Sequence, residues 1–268
     1  MHIFDEATRF DTVSREEGRA SFHGAAHPGF KNMIGPYGGW NAAMMAKTII
    51  EAGEPDMRLA SLTTEFLLAP DVGPVALEAE CDRRGKNTQF WSAYMKAPEG
   101  GSKYNKAMGI LTRPRGTVEW VEGERPDAPP PEECERFPLP MEWTKVVEMR
   151  GAANPPFKST GSTRSTAWVR LDPGRPLDPV SLVALADTPT PRVFYIIGKP
   201  DLIATISMTV YLHATDEDYA AVGSDYMLVE ASGARGGNGI YDQHARMWSR
   251  DGRLMATTQQ IVNYRSKG

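Results

Sequence analysis

Hydrophobic and polar positions alternate along most of the chain, which is typical of strands buried on one face. In the first half this pattern predicts strands in LASLTTEFLLAP, PVALEAECD, NTQFWSAYMKA and SKYNKAMGILT, preceded by a hairpin of TRFDTV and RASFHG around the turn REEG. In the second half it predicts strands in STAWVRL, DLIATISMTVYLHA, YMLVEASGA, GIYDQHARMWS and RLMATTQQIVNYR. These segments indicate a protein built largely from β-hairpins.

Two stretches interrupt the alternation and predict helices. GPYGGWNAAMMAKTIIEAG is rich in small residues and ends at Gly53, shortly before Pro55. DPVSLVALAD begins with Asp178 as the expected N-cap and Pro179 in the first turn. Each half of the chain therefore has one principal helix among its strands.

The two halves resemble each other closely enough to indicate a duplication. Residues 114–140 are crowded with proline and acidic residues and predict a linker between residues 1–113 and 141–268. Residues 84–87 (RGKN) precede a long strand, and residues 235–238 (RGGN) do so about 150 residues later. We predict an α+β fold in which each half is one helix on an antiparallel sheet of about five strands, with the two sheets joined edge to edge.

Composition narrows the class of protein. The formal net charge is −4 and no basic stripe is evident, which argues against nucleic acid as a partner. Cys81 and Cys134 lie far apart, which indicates a reducing compartment without a disulfide framework. The first residues lack the apolar segment of a secretory signal, and no run approaches the ~20 apolar residues of a membrane span. We expect a cytoplasmic protein that does not enter the membrane.

One acidic residue stands out as a candidate for chemistry. Asp187 ends the apolar run SLVALAD, just before a threonine and two prolines. A buried carboxylate is costly unless it is paired or hydrogen-bonded, so Asp187 either breaks a helix and faces solvent or has a chemical role. Other sites are disfavoured, because the chain has no G-x-S-x-G motif and its histidines lack metal-ligand spacing.

The order and spacing of several motifs carry a resemblance over almost the whole chain. The motifs are GPYGGWNAA, FLLAP-x-x-x-GPV, RRGKNTQFWSAYM, WVRLDPGRPLDPVSLVALAD, IATISMTVYLH, EASGARGGNG and DGRLMATTQQ. With them the chain resembles the double-hotdog acyl-CoA thioesterases of the bacterial thioesterase II type. The resemblance implies a tandem hotdog fold, an acyl-CoA substrate, no metal or cofactor, and a homodimer of double hotdogs.

The resemblance also implies a set of site residues. By position, Asp187, Thr205 and Gln260 would hold the water that attacks the thioester, although Ser207 stands where the family often has an aspartate. Gly38 and Gly39 would let the substrate approach the backbone. Alignment of the halves places Ser61 opposite Thr205 and Gly109 opposite Gln260, and the nearest acid on the first helix is Glu51. This asymmetry predicts one active site per chain, carried mainly by the second half.

Three functions remain open at this point. The leading one is hydrolysis of acyl-CoA to free acid and CoA by direct attack of water. A hotdog hydratase or dehydratase is a second, although no histidine lies beside the Asp187 segment. A non-catalytic acyl-CoA or fatty-acyl binding protein is a third. Release of free CoA thiol would distinguish hydrolysis from binding alone.

Overall fold

The computed structural model describes residues 1–137 and 139–265. Pro138, in the predicted linker, and residues 266–268, at the end of the predicted second half, lie outside the described residues. The described α-helices are α1 Ile3–Ala7, α2 Gly38–Ala52, α3 Pro179–Leu185, α4 Val193–Ile197 and α5 Asp216–Val222. The strands of the first half are β1 Phe10–Glu16, β2 Arg19–Ala26, β3 Arg58–Phe66, β4 Gly73–Arg84, β5 Thr88–Lys96 and β6 Lys103–Thr112. Those of the second half are β7 Val147–Ala153, β8 Ser165–Leu171, β9 Ile203–Leu212, β10 Met227–Ser232, β11 Gly236–Gly237, β12 Ile240–Ser249 and β13 Leu254–Tyr264.

All these strands belong to one antiparallel sheet. Its order is β1-β2-β4-β5-β6-β3-β9-β13-β12-β10-β8-β7, with the short β11 paired to β12. The halves join where β3 pairs with β9, and there the hydroxyl groups of Thr63 and Thr209 are hydrogen-bonded at 2.9 Å. The pairing leaves neither of these two strands as a free edge. The predicted α+β architecture of two sheets joined edge to edge is confirmed.

Helix α2 is the central helix of the first half, and its small residues account for its position. Gly39, Ala42, Ala43 and Ala46 are buried together with the neighbouring Met and Trp side chains. A helix that is apolar on nearly all sides must be surrounded by protein, and α2 contacts strands of its own sheet and α3 of the other half. The core therefore runs continuously from one half into the other.

Helices α2 and α3 lie antiparallel at the joint of the two halves. The first turn of α2 meets the end of α3, where the Tyr37 hydroxyl donates to the carbonyl oxygen of Ala184 at 2.8 Å. Ten residues beyond Tyr37, Lys47 of α2 lines the same small cavity as Asp178, the N-cap of α3. This packing brings the beginning of one helix against the end of the other.

Two strands were not predicted from the sequence, β7 and the two-residue β11. Strand β7 forms the outer edge of the second half, which therefore has six main strands where about five were expected. The hydrophobic pattern does not reveal β7 because Glu148, a charged residue, occupies a buried position on this strand. Its carboxylate forms ion pairs with Arg150 at 2.7 Å and Arg170 at 2.8 Å, so the strand keeps a charge in the interior.

The described part of the segment between β6 and β7 is irregular, with short 3-10 helices at Pro131–Glu133 and Glu142–Lys145. It is held against the second half, since the indole of Trp168 donates to the carbonyl oxygen of Pro129 at 2.7 Å. The division into residues 1–113, 114–140 and 141–268 stays a prediction. Within the described residues, every helix is too short or too polar to cross a membrane.

Candidate active site

Asp187 is placed by a short, well-defined helix. Helix α3 begins with a capping box, in which Asp178 accepts from the N–H of Ser181 at 2.7 Å and Ser181 accepts from the N–H of Asp178 at 2.9 Å. It ends at Leu185, and the Thr188 hydroxyl donates to the Leu185 carbonyl oxygen at 2.7 Å. The turn after the helix is thus tied back to it, with Asp187 on the turn, partly shielded from solvent.

Gln260 is the polar partner of Asp187. Strand β13 alternates in burial, so Gln260 faces the interior while Gln259 is exposed on the opposite face. The Nε2 of Gln260 donates to Oδ1 of Asp187 at 3.1 Å and lies 3.3 Å from the sulfur of Met208. Of these two neighbouring glutamines, only Gln260 therefore reaches Asp187.

Thr205 lies on the same face of the sheet as Gln260, and a β-bulge puts it there. On β9, Ser207 pairs with Ile261 and Thr205 pairs with Val262, so Ile206 has no partner on β13. Paired residues project to the same face, and Val262 shares a face with Gln260. Within the described residues, the Thr205 hydroxyl is hydrogen-bonded to neither Asp187 nor Gln260. The structure therefore joins two of the three predicted groups directly.

Gly38 and Gly39 place the beginning of α2, from the first half, next to Asp187 and the end of α3. A Cβ at residue 38 would lie 2.7 Å from Oδ2 of Asp187, and one at residue 39 would lie 2.2 Å from the carbonyl oxygen of Ala184. The N-cap residue of α2, Tyr37, provides no side-chain cap. The beginning of α2 therefore presents backbone N–H groups and the positive end of the helix dipole beside the Asp187 carboxylate.

The surroundings of Asp187 change its acidity. Burial raises the pKa of Asp187 to about 7, while the hydrogen bonds from the Gln260 amide and the Gly39 backbone N–H act in the opposite direction. Near neutral pH the Asp187 carboxyl group is therefore present in both its protonated and its ionised form. Such a group can accept a proton from water and give it back in one reaction cycle, as a general base followed by a general acid does.

Two aromatic residues of the site were not identified from the sequence. Tyr37 is buried, stacks on Trp143 with ring centroids 4.2 Å apart, and has a pKa raised by burial and then by the charge of Asp187. Phe66 lies beside Gly38, since a Cβ there would be 3.5 Å from its ring. The motifs GPYGG and FLLAP contain both residues, but an aromatic ring in a motif does not reveal which helix it will meet.

A mostly apolar cleft begins next to the turn that carries Asp187. The turn contributes Thr188, Pro189 and Thr190 to it, and strands β7, β8 and β10 with the loop after β7 supply most of the rest. The larger apolar side chains that line the cleft are Phe137, Met149, Val169, Tyr195 and Val229. The carboxylate thus stands near a surface that would accept hydrocarbon.

Comparison with protein families assigns the two halves to the two domains of one kind of enzyme. Residues 27–112 match the family of acyl-CoA thioesterase N-terminal domains, and residues 108–264 match the family of acyl-CoA thioesterase C-terminal domains. A comparison with curated protein sequences finds no significant match.

Solved structures share the whole fold. A conserved protein of unknown function with a hot dog fold, from Alicyclobacillus acidocaldarius, is 32% identical with a TM-score of 0.93, and the match covers 100% of both chains. An acyl-CoA thioesterase II from Mycobacterium marinum is 18% identical with a TM-score of 0.77, covering 99% of both chains. The TesB protein of Mycobacterium avium subs paratuberculosis is 19% identical with a TM-score of 0.81, covering 98% of this chain and 99% of that one. The last two show the fold, which is the predicted tandem hotdog.

Proposed function

This chain belongs to the acyl-CoA thioesterase family, and from that membership and the geometry of the site we propose that it hydrolyses acyl-CoA thioesters to a free acid and CoA. The observation that carries the proposal is the hydrogen-bonded pair of Asp187 and Gln260 beside the beginning of α2. It combines a carboxyl group whose pKa is about 7 with an amide donor and a helix N-terminus. These are the groups that direct attack of water on a thioester needs.

In the proposed reaction, the ionised Asp187 takes a proton from a water molecule as the water oxygen attacks the thioester carbonyl carbon. Gln260 and the Thr205 hydroxyl orient the water, since an amide and a hydroxyl each offer a donor and an acceptor. The carbonyl oxygen becomes an oxyanion, which the N–H groups at the beginning of α2 stabilise. The C–S bond then breaks, and Asp187 returns its proton to the departing thiolate of CoA.

Gly38 and Gly39 serve the proposed reaction through the side chains they lack. The space beside Gly38 keeps Oδ2 of Asp187 accessible, and the absence of a Cβ at residue 39 lets α2 approach α3 closely. We place the acyl group toward the apolar cleft that begins at Thr188, because that cleft offers the hydrocarbon contacts nearest to the carboxylate. Each half of the chain thus contributes to one site.

The test is release of free thiol from a panel of straight, branched and aromatic acyl-CoA esters. We expect the wild-type protein to release thiol, and Asp187→Asn to lower the rate by about 100- to 10,000-fold with unchanged folding. Asp71→Asn, at an exposed aspartate, is the matched control and should keep wild-type activity. If the wild type binds acyl-CoA but releases no thiol from any ester, the protein is an acyl-CoA binder and the proposal is wrong.

Two further expectations belong to the same proposal. We propose that the chain works in the cytoplasm as a homodimer of double hotdogs, as the resemblance implies. Light scattering on the purified protein measures the assembly directly. A mass of one chain at micromolar concentration would contradict the dimer without affecting the proposed reaction.

A further inference from the structure

The turn that carries Asp187 is attached to the sheet at both of its ends by a pair of glutamines. At one end Asp187 accepts a hydrogen bond from Gln260, and at the other the Nε of Arg192 donates to Oε1 of Gln243 at 3.1 Å. Gln243 and Gln260 are directly opposite each other on β12 and β13, and both are buried. Two residues five positions apart on the turn therefore each bind one member of a cross-strand pair.

The Arg192 side chain is buried and held by several hydrogen bonds in addition to the one with Gln243. Its side chain is 1% exposed, and no carboxylate lies within ion-pair distance of it in the described part of the chain. Its guanidinium donates to the Thr190 and Thr163 carbonyl oxygens at 2.9 and 2.8 Å, and to the Ser165 hydroxyl at 2.8 Å. A buried cation without a counter-ion is costly, so these neutral acceptors fix both its place and the direction of each N–H group.

The chemistry of these groups determines the orientation of both glutamine amides. An arginine has only donors, so Gln243 must turn its carbonyl oxygen toward Arg192, which leaves its amino group free. Gln260 directs its amino group to Asp187, which leaves its carbonyl oxygen free. Directly opposed side chains on neighbouring strands have Cβ atoms about 5 Å apart. A donor of Gln243 and an acceptor of Gln260 thus stand on adjacent strands in matching order, although no hydrogen bond joins the two amides within the described residues.

We propose that Arg192 and Gln243 are positioning residues, which hold the Gln260 amide with its amino group toward Asp187. The inference rests on the proposed function for its role in catalysis. The reverse orientation would place the Gln260 carbonyl oxygen against the ionised carboxylate, where two acceptors repel each other. Arg192 therefore acts on the reacting groups through two glutamines and does not touch the substrate.

The other titratable groups around Asp187 do not change their protonation near pH 7. The Tyr37 phenol faces it from the beginning of α2, and the Tyr241 phenol interacts with it from β12. Burial raises the pKa of both phenols, so both stay neutral near pH 7. Burial lowers the pKa of Arg192, but an arginine remains protonated in proteins at this pH. A titration near neutrality therefore reports on Asp187.

The decisive variant is Gln243→Met, which keeps the size of the side chain and removes its hydrogen bonds. We expect kcat to fall about tenfold or more with KM unchanged, because the attacking water is misoriented while substrate contacts persist. The pH at half-maximal kcat should move upward by roughly 0.5 to 1 pH unit, because the amide hydrogen bond that favours the carboxylate is weakened. Gln259→Met, one position from Gln260 but on the exposed face of β13, is the matched control and should change neither value.

A second variant separates orientation from packing. Gln243→Glu still accepts from Arg192 but has no amino group for Gln260, so it should also lower kcat and raise the pH midpoint. Carboxyl ¹³C NMR, with the signal assigned by Asp187→Asn, measures the same Asp187 titration without substrate. If wild-type protein releases no thiol, the proposed function fails and the NMR titration alone decides this proposal.

Three results would overturn the positioning role. One is that both variants fold and their Asp187 titrations and kcat values equal those of the wild type. Another is that activity falls only in proportion to the unfolded fraction, with an unchanged pH midpoint. The third is that both variants fail to fold, in which case Gln243 serves the fold.

Discussion

The carboxylate of Asp187 lies so close to Gly38 that a single methyl group on that glycine would stand 2.7 Å from Oδ2. The two residues belong to different halves of the chain, and both lie at helix ends. The proposed active site is therefore assembled where the beginning of α2 meets the turn after α3. The relative position of Asp187 and the beginning of α2 therefore depends on the packing of one half against the other.

Gly38→Ala tests this contact. Because the added methyl group would displace the carboxylate, we expect a loss of about 100-fold in kcat with cooperative unfolding retained. The measurements are thiol release and thermal unfolding. Gly237→Ala is the control, since a Cβ there meets no atom within 4 Å, and it should keep full activity. Normal turnover in Gly38→Ala would show that Asp187 does not act from its position beside α2.

The pH dependence of kcat/KM should follow the titration of Asp187. The reactive form is the carboxylate and burial raises the pKa of Asp187 to about 7, so activity should rise with pH and level off above neutrality. Below the midpoint the rate should fall about tenfold per pH unit, because a single proton is involved. Initial rates in buffers of constant ionic strength provide the profile. A rate independent of pH on the acidic side would exclude Asp187 as the base.

The same titration affects stability. The folded chain holds the Asp187 proton up to about pH 7, whereas the unfolded chain loses it near 3.8. The contribution of Asp187 to the free energy of unfolding is thus complete below about pH 4 and is lost as the pH rises through 7. Asp187→Asn cannot ionise and still accepts from Gln260, so above pH 7 it should be more stable than the wild type by about 1–3 kcal/mol, given partial exposure to solvent.

Urea unfolding of wild type and Asp187→Asn at several pH values checks this prediction. The difference in the free energy of unfolding should grow as the pH rises from about 4 to about 7 and then remain constant. A difference that stays at zero would show that the folded and unfolded chains ionise Asp187 alike.

Thr205 requires its own test, because it lies on the site's face of the sheet without a hydrogen bond to Asp187 or Gln260 in the described residues. We expect Thr205→Val, which keeps the shape and removes the hydroxyl, to lower kcat about tenfold through loss of one water contact. Thr205→Ser retains the hydroxyl and should keep most of the activity. Equal rates for Thr205→Val and the wild type would leave Asp187 and Gln260 as the groups that hold the water.

Much of the fold follows from local pattern, because alternation and helix signals act over a few residues. The sequence predicts α3 with Asp178 as its N-cap, and the capping box confirms it. The position of Thr205 depends on a bulge, which shifts the register by one residue and has no clear signal in IATIS. The contact of Asp187 with Gly38 joins residues about 150 positions apart, so only the packed helices reveal it.

The first half also differs in a way that the sequence did not indicate. Glu54 follows the end of α2 by two residues, as Asp187 follows the end of α3, whereas Glu51, the acid expected from the sequence, lies within α2. Glu54 accepts from Gln89 at 2.7 Å and pairs with Arg113 at 3.0 Å. Glu54 is thus engaged by an amide and a cation of its own half.

The antiparallel helix pair has a consequence for binding stoichiometry. Helix α3 carries its own carboxylate cap, Asp178, which Arg175 neutralises at 2.6 Å. Helix α2 lacks a side-chain cap, and the carboxylate beside it comes from the other half. Of the two helix beginnings at the joint, one is capped by a side chain of its own half, whereas the other meets a carboxylate of the opposite half and, in the proposed reaction, also receives the carbonyl oxygen of the substrate. A dimer of such chains would bind two equivalents of a carbonyl ligand, although it contains four copies of the ancestral repeat.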